Sequence, residues 1–459
     1  MTRLHIAAVT LGIALVAMSG PAYTLDTVRP DRHLVVISVD GLMPRRYTSP
    51  SPARIPHIRG LMPHGVWADG VHGVLPSVTY PSHTTLITGV PPRDHGIIDN
   101  GEFDPEGLGS GAWMDFAGDI KVPTIVGAAR GAGLRTAVVQ WPVSVGMRAD
   151  AIVPRFFLDN HPRSLSMIKA LSTPQLLESF EAARGKPLEW PLTDEHKVEI
   201  ATWLLRTQQP HVLLVHLVNN DGYHHSYGPD SPEALAATER ADEQIGRIIE
   251  GIRAAGLSER TYVAVVSDHG FVATTTTMQF NKVLADNGLL TVAGEPAARQ
   301  TPAKDWRAYF WGSGGTGFVY LKDPADAAVA TRVKALLERT AADRKNGIER
   351  VWSREEIRRM GGPPQAMFGV SMRDGFYTGG GTDALLKPAT SKGGHGYDPA
   401  NPAMNSSFVL AGPALGSGRS LGMIRMTQIA PTFARLLGVG LSPLADTPLN
   451  LLPQDSRQP

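Results

Sequence analysis

The chain has 459 residues, 42% of them hydrophobic, which is enough for one large α/β domain with a smaller domain embedded in it. The formal net charge is +1 and there is no long run of like charge, which argues against a nucleic-acid scaffold or an anionic membrane surface as the partner. Cysteine is absent, which excludes disulfides, a lipoprotein anchor and thiolate metal ligands.

The first 22 residues have the pattern of a secretory signal peptide. Arg3 precedes an apolar stretch from Ile6 to Met18, and small residues follow up to Ala22. A membrane span needs about 20 apolar residues, so this stretch is short for one. We therefore expect a periplasmic or secreted protein with no stable membrane span after removal of the signal at 1–22. A single N-terminal anchor is the alternative.

Strand and helix patterns alternate along the chain after this segment. Buried strands are predicted at HLVVISVD from His33, TAVVQW at 136–141, HVLLVHLV at 211–218 and TYVAVVS at 261–267. Helices are predicted after Pro81 up to Gly89, at 122–131, and along the amphipathic segment that ends at Gly256. Such alternation indicates βαβ crossovers and a three-layer α/β/α sandwich around a mainly parallel sheet.

The stretch 276–389 interrupts this alternation and is predicted to form an inserted cap subdomain. It contains the glycine-rich WGSGGTGFVYL, a charged helix around 327–343 and the loop-like segments GGPPQ and YTGGGTD. The α/β core would then comprise 32–275 and 390–445, followed by a C-terminal tail at 446–459. The SGGTG run lacks the Gly-Lys-Ser/Thr ending of a phosphate-binding loop, so we interpret it as a turn between strands.

Six candidate metal ligands lie where apolar segments end. Three strand-like runs each finish at a carboxylate, and this is where open α/β sheets place their active sites. Carboxylates and imidazoles are ligands for zinc, which is usually four-coordinate in proteins. The pattern therefore predicts a two-metal hydrolase. The six candidates are Asp40, Asp221, His225, Asp268, His269 and His395.

Thr79 in LPSVTYPSHTTLITG is the candidate nucleophile. Pro81 suits the first turn of a helix, which places Thr79 at or just before the helix N-terminus, where free N–H groups attract a phosphate. A threonine hydroxyl is a weak nucleophile until a metal lowers its pKa. A threonine in such a turn is usually a capping or surface residue, but the surrounding candidate ligands favour a catalytic role.

Six pieces of the chain, in order, resemble the nucleotide pyrophosphatase/phosphodiesterase branch of the alkaline phosphatase superfamily. They are VDG at 39–41, TYPSHTTLITG at 79–89, HGIIDN at 95–100, the Asp221 and His225 pair before YGP, SDHG at 267–270 and GGHGYDP at 393–399. The resemblance implies an alkaline-phosphatase-like fold and two Zn²⁺ ions per chain. It also implies hydrolysis of phosphodiester or phosphoanhydride bonds in a small diester or nucleotide, through a covalent phosphothreonine-type intermediate.

The resemblance further implies roles for individual residues. One zinc ion would be held by Asp40, Asp268 and His269, and would contact the Thr79 oxygen. The other zinc ion would be held by Asp221, His225 and His395. Asn100 matches the family position whose amide donates to a non-bridging phosphoryl oxygen.

Two departures from the family pattern leave points open. His224 stands where the family usually has glycine, so either His224 or His225 could be the ligand. We favour His225, because it lies four residues after Asp221 and would share a helical face with it. The diesterases of the family often have Phe-Pro-Asn after the nucleophile, whereas this chain has Tyr-Pro-Ser from Tyr80. Tyr80 keeps an aromatic ring suited to stacking on a base, so we expect it to bind substrate.

Other activities of the superfamily fit the sequence less well. A sulfatase needs a C/S-x-P-x-R motif that this chain lacks, and the phosphoglycerate mutase relatives use a serine nucleophile. A phosphate monoesterase with a threonine nucleophile remains open, although the chain has Trp-Pro-Val-Ser from Trp141 where such enzymes have Trp-Lys-x-Arg. Arg155 or Arg163 could supply the missing cation. A non-catalytic zinc-binding protein is the least favoured hypothesis.

Several further residues have structural interpretations. Four histidines have no carboxylate at ligand spacing and are interpreted as structural or surface residues: His57, His64, His72 and His83. His95 is interpreted as orienting the HGIIDN loop. Phe156 and Phe157 are candidates for a second aromatic wall, but positions in the apolar core suit them better.

Overall fold

The computed structural model describes residues 27–108, 111–157, 163–293, 302–416 and 418–451. The predicted signal peptide at 1–22 lies outside these residues. Within the described ranges, no helix combines the length and the apolar character that crossing a membrane requires.

The strands and helices predicted for the core are present, with boundaries shifted by a few residues. The strands are β1 His33–Val39, β2 Gly65–Trp67, β3 Gly70–His72, β4 Thr136–Val139, β5 Ala151–Val153, β6 Val212–Leu217, β7 Thr261–Val266, β8 Val272–Met278, β9 Leu290–Val292, β10 Ala303–Trp306, β11 Ala308–Ser313, β12 Thr316–Leu321, β13 Ile348–Ser353, β14 Phe368–Met372, β15 Gly375–Thr378, β16 Leu386–Pro388, β17 Gly393–Gly394, β18 Phe408–Ala411, β19 Arg419–Ser420 and β20 Met423–Arg425. The α-helices are α1 Arg45–Thr48, α2 Pro56–Leu61, α3 Thr79–Thr88, α4 Pro92–His95, α5 Ile125–Gly131, α6 Ser164–Leu171, α7 Leu176–Arg184, α8 Asp194–Thr207, α9 Asn219–Tyr227, α10 Pro232–Ala254, α11 Phe280–Asp286, α12 Ala327–Ala342, α13 Arg354–Arg359 and α14 Ile429–Leu437.

The central sheet is mainly parallel. Within the described residues it has eight strands in the order β19-β2-β18-β7-β1-β6-β4-β5. β1 is parallel to both β6 and β7, and β4 is parallel to both β5 and β6, whereas β18 is antiparallel to β7 and to β2. The mostly apolar strands β1, β6 and β7 are buried at every residue, because helices cover both faces of the sheet.

Two apolar cores on opposite faces of the sheet give the three-layer sandwich that the sequence predicted. Neighbouring residues of a strand point to opposite faces, so Val35 lies in one core and Leu34 in the other. The first core joins the sheet to α8 and α10 through side chains such as Leu204 and Ile248. The second core joins the sheet to α3, α5 and α14, where Phe433 is buried.

The stretch 276–389 has an antiparallel sheet and an apolar core of its own. The sheet order is β11-β12-β14-β13, and α11, α12 and α13 contribute to the same core. The SGGTG run forms the turn of the β11–β12 hairpin, as predicted, with Gly314 at φ +81°. β8 runs through the boundary that we placed at 276 and pairs with β15, β16 and β17. β8 therefore links the stretch 276–389 to the core on either side of it.

The first residues of the predicted C-terminal tail are packed on the core. Leu449 is 6% exposed, and its N–H donates to Thr432 Oγ1 at 2.8 Å. Asp446 accepts from Arg425 Nε at 2.9 Å and from Thr427 Oγ1 at 2.6 Å. The start of this tail is therefore held against α14 by the buried leucine and against β20 by the ion pair.

Candidate active site

Parallel strands bring the candidate ligands to one edge of the central sheet. Asp40 directly follows β1, Asp221 lies in the first turn of α9 after β6, and Asp268 follows β7. Because β7, β1 and β6 are parallel neighbours, their carboxyl ends share that edge. The structure gathers all six predicted ligands there in two groups of three.

The first group consists of Asp40, Asp268 and His269, whose ligand atoms lie within 4.8 Å of one another. His269 Nε2 is 3.3 Å from Asp40 Oδ1 and 3.2 Å from Asp268 Oδ2. All three residues are at most 1% exposed, and these three atoms have no hydrogen-bond partner among the described residues. Burying such atoms is costly unless a cation or a donor satisfies them, so the group has the character of a metal site.

The second group consists of Asp221, His225 and His395 and is more open to solvent. Asp221 Oδ1 lies 3.4 Å from His225 Nε2 and 3.7 Å from His395 Nε2. His225 Nδ1 donates to the Gly393 carbonyl at 2.8 Å, which directs Nε2 towards Asp221. The two groups adjoin each other, because the His269 and His395 rings stack with their centroids 3.5 Å apart.

His225, and not His224, belongs to the second group. The His224 side chain is buried, and its Nδ1 donates to the Asn220 carbonyl at 2.6 Å, one helical turn earlier. Its ring centroid lies 5.1 Å from that of Phe271. His225 shares a helical face with Asp221, as expected for residues four apart in an α-helix.

The electrostatics of the site favour bound cations. Burial, together with the nearby Asp268 and Asp221 carboxylates, raises the pKa of Asp40 well above its usual range. Burial also lowers the pKa of His269 to about 3 and that of His395 well below its usual value. A cation would offset the repulsion between the carboxylates, and the neutral imidazoles are in the form that binds a metal.

Thr79 is half-buried and is the first residue of α3. Val78 before it is extended, and its own side chain does not cap the helix. The Tyr80 and Ser82 N–H groups are engaged by the Asn100 side chain and the Val78 carbonyl, and Pro81 has no N–H. The Thr79 N–H and the positive end of the helix dipole therefore remain to attract an anion beside the candidate nucleophile. Two residues earlier, the Ser77 carbonyl accepts from His395 Nδ1 at 3.3 Å, which links this segment to the second group.

Asn100 contacts the same end of α3. Its side-chain Oδ1 accepts from the Tyr80 N–H at 2.8 Å. Because the carbonyl end of the amide is engaged in this way, the NH₂ group is the end that remains for a ligand. This orientation is the one that the predicted donor role of Asn100 requires.

The position of Tyr80 corrects the role that we predicted for it. Its ring is 1% exposed, and its hydroxyl donates to Asp115 Oδ1 at 2.6 Å. A ring buried to this extent offers no face to a base, because its apolar neighbours already cover it. The Tyr80 ring instead packs against Trp113, with centroids 5.1 Å apart. Trp113 and Phe157 stack at 3.9 Å and are both half-buried, so Phe157 lies at the surface of this cluster and not in the core.

Two buried histidines that the sequence did not assign to the site contact its carboxylates. His216 Nε2 is hydrogen-bonded to Asp40 Oδ2 at 3.0 Å. His83 Nδ1 donates to the Thr79 carbonyl at 2.8 Å and lies 3.5 Å from Asp268 Oδ2. The sequence contains one signal for His216. This residue lies inside β6, which is otherwise apolar, and a buried polar side chain needs a hydrogen-bond partner. His83 was missed because its carboxylate partner is distant in sequence.

Comparison with known proteins gives the following matches. A family profile described as Type I phosphodiesterase / nucleotide pyrophosphatase matches residues 34–398. Human ectonucleotide pyrophosphatase/phosphodiesterase family member 1 is 26% identical over 277 residues, which is 59% of this chain and 27% of that protein. The bis(5′-adenosyl)-triphosphatase of Bos taurus is 23% identical over 421 residues, 88% of this chain and 78% of that protein. The chain thus spans about a quarter of the length of the human relative.

Solved structures share the fold. Human ectonucleotide pyrophosphatase / phosphodiesterase 5 superimposes with a TM-score of 0.65 at 20% identity, covering 91% of this chain and 97% of that chain. An inactive threonine-to-alanine form of its murine counterpart, in complex with AMP, has a TM-score of 0.64 at 19% identity and covers 90% of this chain and 96% of that chain. The predicted alkaline-phosphatase-like α/β fold with a mainly parallel central sheet is therefore confirmed.

Proposed function

Because this chain belongs to the type I phosphodiesterase / nucleotide pyrophosphatase family of the alkaline phosphatase superfamily, we propose that it is an exported, two-zinc phosphodiesterase. It hydrolyses phosphodiester or phosphoanhydride bonds of small nucleotide-like substrates through a covalent intermediate on Thr79. The observation that carries this proposal is the pair of adjoining ligand groups linked to the N-terminus of α3, where Thr79 lies. Export is supported by the signal-like sequence at 1–22.

The donor atoms of the two groups fit a pair of zinc ions. One ion would be held by Asp40, Asp268 and His269, and the other by Asp221, His225 and His395. Each group combines carboxylate with imidazole, which suits zinc, and each includes a buried carboxylate oxygen without a hydrogen-bond partner among the described residues. When bound, the ions would lower the pKa of the nucleophilic hydroxyl and offset charge on the phosphoryl and leaving oxygens.

Thr79 supplies the nucleophilic oxygen. Its Oγ1 loses a proton to solvent and forms a bond to phosphorus, while the leaving oxygen departs with the electron pair of its broken bond to phosphorus and takes up a proton from solvent. Water then cleaves the bond between Thr79 and phosphorus, which restores the hydroxyl and releases the phosphorylated product. The Thr79 N–H and the Asn100 NH₂ group stabilise the non-bridging oxygens. His83 holds the first turn of α3, since it bonds both the Thr79 carbonyl and Ser38 Oγ at 2.8 Å.

A phosphate monoesterase is the second candidate function. Residues 140–144, directly after β4, include no lysine or arginine. Trp141 and Val143 are buried there, and Trp141 Nε1 donates to the His83 carbonyl at 3.3 Å. One contact favours the monoesterase. The Arg155 backbone N–H donates to Ser144 Oγ at 3.0 Å, which places a cationic residue next to that segment. A monoester carries an extra negative charge that a cation has to meet.

A substrate comparison tests the proposed function. We expect kcat/KM for a nitrophenyl nucleotide diester to exceed that for nitrophenyl phosphate by more than about tenfold, since a missing charge-assisted contact costs about 2 kcal/mol. Both constants are measured on one zinc-loaded preparation. A clear preference for the monoester would establish the monoesterase instead, and Arg155→Gln would then be expected to reduce monoester turnover selectively.

A further inference from the structure

The turn of the β11–β12 hairpin, residues 313–315, reaches from the inserted stretch to the candidate active site. The Gly315 N–H donates to the carbonyl of His395 at 2.9 Å. A Cβ atom on Gly314 would lie 2.3 Å from that carbonyl oxygen, and one on Gly315 would lie 2.2 Å from the Tyr397 ring. Both glycines are therefore needed for this close approach. The turn thus lies directly against a candidate metal ligand.

Ser313 connects the same turn to the loop that carries Asn100. Ser313 is 3% exposed, and its Oγ donates to Asp99 Oδ2 at 2.5 Å. The other oxygen of this carboxylate, Oδ1, accepts from the Asn100 backbone N–H at 2.7 Å. The Asn100 side chain then accepts from the N–H of Tyr80, the residue after Thr79. Consecutive hydrogen bonds therefore link the hairpin turn to the first turn of α3.

The residues after Asn100 are also anchored on the inserted stretch. The Phe103 ring packs against the Tyr320 ring with centroids 4.1 Å apart. Trp306 Nε1 donates to Glu106 Oε1 at 3.2 Å. Aromatic packing of this kind adds stability beyond the apolar area that it buries. The loop therefore takes its position from the insert as well as from the core.

We propose that Ser313 and Asp99 are positioning residues for Asn100, so that the insert forms part of the phosphate-binding site. The inference rests on the proposed function, because it takes the Asn100 amide as the donor to a non-bridging phosphoryl oxygen. Asn100 is held at both its backbone N–H and its side-chain oxygen, so its NH₂ group keeps one direction. Fixed donors of this kind stabilise a charged oxygen without reorganisation during the reaction. The ligand class is a phosphate or phosphate ester with an accessible non-bridging oxygen.

Binding of AMP to the zinc-loaded protein, measured by titration calorimetry, tests this link without turnover. Ser313→Ala should weaken AMP binding about tenfold, because it removes a hydrogen bond to a charged acceptor that holds Asn100. In an Asn100→Ala background, Ser313→Ala should cause no further loss, because the group that it positions is absent. Ser371→Ala removes another buried serine from the same antiparallel sheet and should bind AMP like the wild type. Zinc content and Tm are measured for every variant.

The proposal is overturned if Ser313→Ala binds AMP normally, or if it loses as much affinity in the Asn100→Ala background as in the wild type. A wild-type protein that does not bind AMP also overturns it. If Ser313→Ala fails to fold, Asp99→Ala gives the same comparison, with a larger loss expected because two hydrogen bonds are removed. A wild type that binds AMP without hydrolysing diesters would refute the proposed function, and the Asn100 comparison would still decide the positioning role.

Discussion

Thr79→Ala is expected to lower kcat for a diester by about 10⁴-fold or more, because it removes the oxygen that bonds to phosphorus. Thr79→Ser keeps a hydroxyl in the same position and should retain part of the activity. The fold should be unaffected, since Thr79 is half-buried at the start of α3. Steady-state kinetics on the zinc-loaded variants measures kcat, and Tm is measured to check the fold.

Thr124→Ala is the matched control for this substitution. Thr124 also lies at a helix N-terminus, where its Oγ1 accepts from the Gly127 N–H at 3.1 Å and caps α5. Its replacement should cost about 1 kcal/mol of stability and leave kcat unchanged. A Thr79→Ala enzyme with kcat within about tenfold of the wild type would refute the assignment of the nucleophile.

Removal of zinc is expected to abolish activity, and addition of zinc should restore it, because both proposed groups have three protein ligands and resemble catalytic sites with an open position. Metal analysis of the active protein should find about two zinc ions per chain. His395→Ala should lose chiefly the ion of the second group, since it removes one of only three ligands. His72→Ala, which changes an exposed histidine on β3, should keep both ions.

Two different results would contradict the proposed zinc sites. Full activity after exhaustive chelation, with zinc absent by metal analysis, would exclude a catalytic role for metal. A His395→Ala protein that retains both ions with unchanged affinity would exclude His395 as a ligand while leaving the remaining ligands open to test one at a time.

The central strands were predictable because an apolar run of strand length indicates burial on both faces of a sheet. A run such as the one from Leu34 to Ile37 is apolar at every residue, and only a strand covered on both faces buries all of it. The pairing of β8 was not predictable, because β8 is rich in threonine and its partners are distant in sequence, at Gly375–Thr378, Leu386–Pro388 and Gly393–Gly394. Pairing over such separations leaves no local signal.

The candidate ligands were predictable for a related reason, since a carboxylate at the end of a buried strand marks the edge of the sheet. The contacts that other side chains make with those ligands were not predictable. The bond between His216 and Asp40 joins neighbouring strands that are far apart in sequence, so no spacing rule detects it. Tyr80 was misassigned because its burial depends on Asp115 and Trp113, which lie in an irregular loop without hydrophobic periodicity.

The stereochemical course at phosphorus tests the central claim, a covalent step on Thr79, most directly. A phosphorothioate diester of a single configuration is hydrolysed by the zinc-loaded enzyme in isotopically labelled water, and the configuration of the product is determined. Two successive in-line displacements each invert phosphorus, so the account predicts net retention. Net inversion would show that water attacks the substrate directly, which would contradict the covalent role of Thr79.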